Sequence, residues 1–130
     1  MSVRIVIIGR GTPHAEQRYN TVGDWQFDSR GNLTVTVSSE LSEKEQYLVA
    51  IHELIEAVCC KYDGVDQDDV DAWDFKGGDG SDPAAPYHIQ HVFAEALEFK
   101  IAAYIEMNWT MYEKDIEVLM KEREGKKKKK

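Results

Sequence analysis

The chain has 130 residues, 42% of them hydrophobic and 10% aromatic. That is enough for one domain with a modest core and excludes a large multidomain enzyme. Twenty-four acidic side chains against sixteen basic give a net charge of −8, and without the terminal run Lys126–Lys130 the body stands at −13. Such a surface repels phosphate backbones, which argues against a general nucleic-acid partner.

No apolar run approaches the about 20 residues needed to cross a bilayer, and Val3–Ile8 lacks the basic flank, length and cleavage site of a signal peptide. The expectation is a cytoplasmic protein with no membrane partner. The only cysteines, Cys59 and Cys60, are adjacent within a helical pattern and cannot form an ordinary disulfide with each other, in keeping with a reducing compartment.

In chain order, the β-rich run Val3–Ile8, ended by Gly9-Arg10-Gly11 and Pro13, reads as a first strand. His14 follows in what reads as a loop. Asp24–Asp28 alternates, Ser29-Arg30-Gly31-Asn32 carries turn chemistry, and Leu33, Val35 and Val37 alternate with Thr34, Thr36 and Ser38. These runs predict an antiparallel hairpin with one buried face. Ser42-Glu43-Lys44-Glu45 has the form of a capping box, and Leu48, Ile51, Ile55, Val58 and Tyr62 continue at helical spacing to Gly64.

The Asp- and Gly-rich stretch Asp63–Asp82 reads as an exposed connection, with a single helical turn at Val70–Phe75 anchored by Trp73. A second helix is expected after Pro86, from His88 to about Glu106, with Ile89, Val92, Phe93, Ala96, Phe99 and Ile101 supplying its apolar surface. A third spans Met111–Glu124 with Tyr112, Ile116, Leu119 and Met120 inward. The whole predicts an α+β fold: a small antiparallel sheet of about three strands packed on the helix of Ser42–Tyr62, with two further helices beside it. Residues 1–124 form the single domain and 125–130 a disordered, lysine-rich tail.

The chemistry concentrates in Ala50–Ala57. His52 and Glu56 are four residues apart and share one helical face, so both can serve one metal. Glu53 is rotated by about 100°, the offset that in H-E-x-x-H lets a glutamate reach a metal-bound water. On the second helix His88, His91, Glu95 and Glu98 follow at steps of three, four and three, forming one polar stripe. Helices packed side by side would bring the stripes together. The expected ligand set is His52, Glu56 and His91, a mixture of imidazole and carboxylate that suits zinc. Glu98 is then a fourth ligand or the acceptor that orients an imidazole, and Glu95, His88, Asp74 and Asp71 are further supporting candidates.

Asp66, Asp68 and Asp71 lack the glycine and the glutamate of a calcium loop, and Gly9-Arg10-Gly11 lacks the rest of a phosphate-binding fingerprint. Glu53-x-x-Glu56 and Glu95-x-x-Glu98 resemble the paired carboxylates of the magnesium-dependent all-α nucleotide pyrophosphatases, although the strand-rich first forty residues argue against that fold. A non-catalytic alternative is an interaction or inhibitor protein that engages a basic host factor through its acidic surface and keeps a structural or vestigial metal site.

The hairpin or edge strand Gly31–Ser39, a linker and a helix with H-E-x-x at its middle resemble the core of the zincin metallopeptidases. The resemblance implies an edge strand beside a cleft, a metal helix beneath the sheet and a later helix giving the third ligand, parts matched by Leu33–Ser38, His52–Ala57 and His88–Glu98. It implies a zinc-dependent hydrolase with Glu53 as general base and a peptide or protein substrate paired along the edge strand. This chain departs from the family at position 56, where glutamate replaces the second histidine of H-E-x-x-H. Through Gln17-Arg18-Tyr19, Thr21–Trp25, His52–Ala57, Pro86-Tyr87 and His91-x-x-Ala94 the chain also resembles small uncharacterised phage and prophage proteins. That likeness covers most of residues 3–112 and implies a source, hence a host cytoplasm, but no activity.

Overall fold

Alternation and turn chemistry build the hairpin as read. In the computed structural model, which describes residues 11–128, strand β2 (Gly23–Phe27) pairs antiparallel with β3 (Leu33–Ser38) in the register Trp25 opposite Val35. The turn is held by Asp28, whose carboxylate accepts from the backbone amides of Arg30 and Asn32 at 2.8 and 2.9 Å. Leu33, Val35 and Val37 are fully buried, and Thr34 and Thr36 between them are not.

The sheet differs from the expectation in two ways. The short strand β1 (Gly11–Thr12) pairs parallel with β3, so the sheet is mixed, in the order β1-β3-β2. β3 is accordingly the middle strand, with β1 paired to it at Val37 and Ser38, and not the edge of the sheet at that end. The outer edge of β2 is also occupied. The Gln67 amide accepts from Phe27 N at 3.0 Å and donates to Trp25 O at 3.5 Å, while the Thr21 hydroxyl bonds both the N–H and the C=O of Gly23. An extended peptide would have to displace these groups to add a strand there. The first strand expected at Val3–Ile8 lies outside the described residues.

Helix α1 (Glu43–Tyr62) starts at the capping box: Ser42 Oγ accepts from Glu45 N, and Glu45 Oε1 accepts from Ser42 N. It ends in a Schellman motif, with Val65 N on Cys60 O and Gly64 N on Lys61 O. Leu48, Val49 and Ala57 pack it against the sheet. Helix α2 (Gln67–Phe75) is longer than the single turn expected, because Asp66 caps it by accepting from Asp68 N at 2.7 Å. Helix α3 (His88–Tyr104) runs antiparallel to α1, as the contacts Asp63–Gln90, Glu56–His91 and His52–Glu98 require. Helix α4 (Trp109–Lys128) extends past Glu124 into the lysine run expected to be disordered.

His14, expected in a loop, sits buried in a 3-10 turn (His14–Glu16), where its ring bonds Ser38 Oγ and Asn20 Oδ1 at 2.8 Å each. The architecture is α+β. No helix among the described residues is long and apolar enough to cross a membrane.

Candidate metal centre

The capping box fixes the start of α1, and the helical repeat then turns His52 and Glu56 toward α3. Position 91 is one turn into α3 and faces them. His52 Nε2 lies 3.0 Å from Glu56 Oε2, His91 Nδ1 lies 3.0 Å from the same oxygen, and the two nitrogens are 3.2 Å apart. These are the three residues that spacing alone brought together, and among the described residues they form the one cluster arranged to hold a metal ion.

Each member is held from behind. His52 Nδ1 donates to Glu98 Oε1 at 2.7 Å, and Tyr112 from α4 donates to Glu98 Oε2 at 2.5 Å. Glu98 is therefore an orienting acceptor that leaves Nε2 of His52 facing the cluster. Glu95 lies 3.6 Å from the outer nitrogen of His91. Trp25 Nε1 on β2 donates to Glu56 Oε1 at 2.9 Å, which leaves Oε2 for the imidazoles. Burial works against ionised groups here, but the mutual charges outweigh it. Hydrogen bonds from His52, His91 and Trp25 hold the Glu56 carboxyl down at about 2, and Glu56, Glu98 and Glu53 raise the His52 imidazolium to about 11.

Glu53 behaves differently. It is 9% exposed, and among the described residues its nearest cationic atom is His52 Nε2 at 3.9 Å and it accepts no hydrogen bond. Burial, with Glu56 close by, pushes its pKa well up. Its carboxylate lines an open cleft of about 1300 Å³ bordered by Tyr19, Tyr87, His91 and Tyr112. No fully buried side-chain oxygen among the described residues lacks a partner, so the Glu53 oxygens reach the cleft, where a water or substrate would lie.

Two glycines permit these approaches. A Cβ on Gly23 would come within 2.5 Å of Val49 and 2.8 Å of Glu53 Cγ; one on Gly80 would come within 2.6 Å of the His91 ring. Larger residues at either position would push a site side chain away.

The other sequence candidates sit elsewhere. Asp74 lines the cleft but touches neither histidine: it accepts from Tyr19 at 3.0 Å and from Tyr87, and burial lifts it to about 6. Asp71 pairs with Arg18 at 3.1 Å, and Arg18 also forks onto Asp24. His88 Nδ1 donates to Gly80 O at 2.9 Å, holding the loop before α3 and not the cluster. Cys60 is buried, with its thiol raised to about 12 by that burial; neither cysteine joins the cluster. Sequence reading missed Trp25, Tyr112, Tyr19 and Tyr87. Each is an aromatic residue with a polar tip that needs a partner once buried, but the identity of that partner depends on tertiary packing. With this geometry in hand, comparison with known proteins adds nothing: no family model, no curated protein and no solved structure matches the chain.

Proposed function

We propose that the chain binds one zinc ion through His52, Glu56 and His91 and acts as a small metal-dependent hydrolase of zincin type on peptide bonds. The observation that carries this reading is the triangle of ligand atoms with edges of 3.0, 3.0 and 3.2 Å. Tetrahedral ligands at about 2.0–2.1 Å from zinc lie about 3.3 Å from one another, so a small inward or outward adjustment converts one arrangement into the other. Two imidazoles in so small a triangle also disfavour magnesium, which prefers oxygen ligands in an octahedron.

A zinc ion at this point would supply the Lewis acidity that polarises a carbonyl and acidifies a water. The remaining steps belong to the chain's own residues. Glu53 Oε2, 3.9 Å from the His52 ligand atom and without a competing donor, would be returned to its ionised form by the charge of a bound cation and would then take a proton from the attacking water. It returns that proton to the leaving nitrogen, so that an amide and a water become an acid and an amine. Glu98 and Tyr112 keep His52 in register, and the cleft admits the substrate. The outer edge of β2 is occupied by Gln67 and Thr21, so the substrate is held by the cleft walls and not by addition to that strand.

The test is a zinc titration of chelator-stripped protein against a competing chromophoric chelator, followed by peptide-hydrolysis assays on unfolded protein substrates. Glu53→Gln should bind zinc as the parent does and lose hydrolysis by a factor of about 10² or more. A parent that fails to compete for zinc at micromolar concentration would overturn the reading. Zinc binding without Glu53-dependent hydrolysis would leave a structural metal in an interaction protein.

A further inference from the structure

Helix α3 is built with its polar stripe inward and its apolar stripe outward. Gln90, Ala94, Glu98 and Ala102 are buried against the rest of the protein, whereas Ile89, Val92, Phe93 and Phe99 are 76, 49, 51 and 52% exposed. This is the packing that brings the polar stripes of the two helices together, as their spacing implied: His91 and Glu98 reach α1, and the helical repeat then turns the apolar residues to solvent.

The exposed residues follow a heptad repeat. Ile89, Ala96 and Ala103 are seven apart, as are Val92 and Phe99, so they form one straight seam of about four turns. Lys100 lies on this exposed strip, and the half-exposed Glu95 borders it beside Val92 and Phe99. The four large side chains alone leave on the order of 400 Å² of apolar surface in water, within the range of the largest patch on an ordinary monomer, where such patches are often functional. With Ala96, Ala103, the Lys100 stem and Tyr104, which is 89% exposed, the strip reaches on the order of 800 Å². That is the area each partner contributes to a standard-size interface.

We infer that this face of α3 pairs with the same face of a second copy of the chain, antiparallel and centred on Ala96. The seam is self-complementary in size about that point. Ala96 meets its own counterpart and lets the helices approach; Ile89 lies opposite Ala103 of the second copy; and along the two flanks Val92 meets Phe99 while Phe93 lies beside the Lys100 stem. A two-fold axis requires such reciprocity, since each residue must be matched by its own partner in reverse. Pairing leaves the His52–Glu56–His91 cluster on the far side of α3.

The experiment is sedimentation equilibrium of the full chain across low to high micromolar concentration, beside Val92→Glu, which sets a carboxylate against Phe99 of the second copy. The parent should approach twice its 14.9 kDa mass, and Val92→Glu should stay monomeric with the parent's circular dichroism, because the residue is exposed. In a Cys59→Ser background, Ala96→Cys should form a disulfide-linked dimer on mild oxidation and Ala103→Cys should not. A parent that stays monomeric throughout would overturn the inference. So would a dimer that survives Val92→Glu and gives no cross-link at Ala96. If Val92→Glu fails to fold, the cross-linking contrast decides alone.

Discussion

The charge arrangement around His52 makes stability of the metal-free protein fall as pH rises, contrary to the behaviour of a domain governed by paired carboxylates. The His52 imidazolium is raised from 6.5 to about 11 by Glu56, Glu98 and Glu53, against the opposing effect of burial. A cationic group whose folded pKa exceeds its unfolded one contributes stability that is complete below about 6.5 and lost as pH climbs toward about 11. Within that window the slope is about 1.4 kcal/mol per pH unit, so moving from about pH 6.5 to about pH 8.5 should cost roughly 2 kcal/mol. Glu53, raised by burial, acts in the same direction. Asp74, raised from 3.8 to about 6, also has that sign, but its window closes before this range opens. Glu56, depressed from 4.5 to about 2, has the opposite sign and loses its contribution only in acid, so it is constant here. The assay is urea unfolding followed by far-ultraviolet circular dichroism in a chelator at several pH values. Saturating zinc should reverse the trend, because a ligand on His52 Nε2 must displace a proton and metal affinity therefore grows with pH. Metal-free stability that is flat or rises between these pH values would refute the charge reading of the cluster.

Three further outcomes follow from single contacts. Trp25→Phe removes the donor to Glu56 Oε1 and should destabilise the metal-free protein by about 1–3 kcal/mol, read from denaturant midpoints at unchanged slope. Gly80→Ala forces a methyl group against the His91 ring and should weaken zinc binding about 10- to 100-fold in a chelator competition while leaving the far-ultraviolet spectrum intact. Glu106 sits in the left-handed region at φ 58 where α3 ends, with Met107 N on Ala102 O; Glu106→Gly should stabilise the protein by about 1 kcal/mol, visible as a higher melting temperature.

What could be read from the sequence was what local chemistry specifies. The hairpin followed from alternation around an Asp28–Asn32 turn, α1 from its capping box, and the convergence of His52, Glu56 and His91 from helical spacing on two neighbouring helices. What could not be read depends on long-range pairing. The parallel contact of Gly11–Thr12 with β3, and the Gln67 amide that closes the edge of β2, join positions far apart in the chain and leave no periodic trace. The inward turn of the polar stripe of α3 was legible in its spacing, but the solvent exposure of the opposite, apolar stripe was not, because an apolar stripe usually faces the core. Here a buried His–Glu cluster decides which side faces in, and its carboxylates are stabilised by Tyr112 and Trp25, whose roles sequence gives no means of pairing.

The central claim is that two helices build one metal site, and elemental mass spectrometry on untagged protein exposed to zinc and then desalted tests it most directly. The parent should carry about one equivalent of zinc. His52→Asn and His91→Ala, each checked for folding by circular dichroism, should both lose it. A folded parent without zinc, or zinc retained in either variant, would contradict the account.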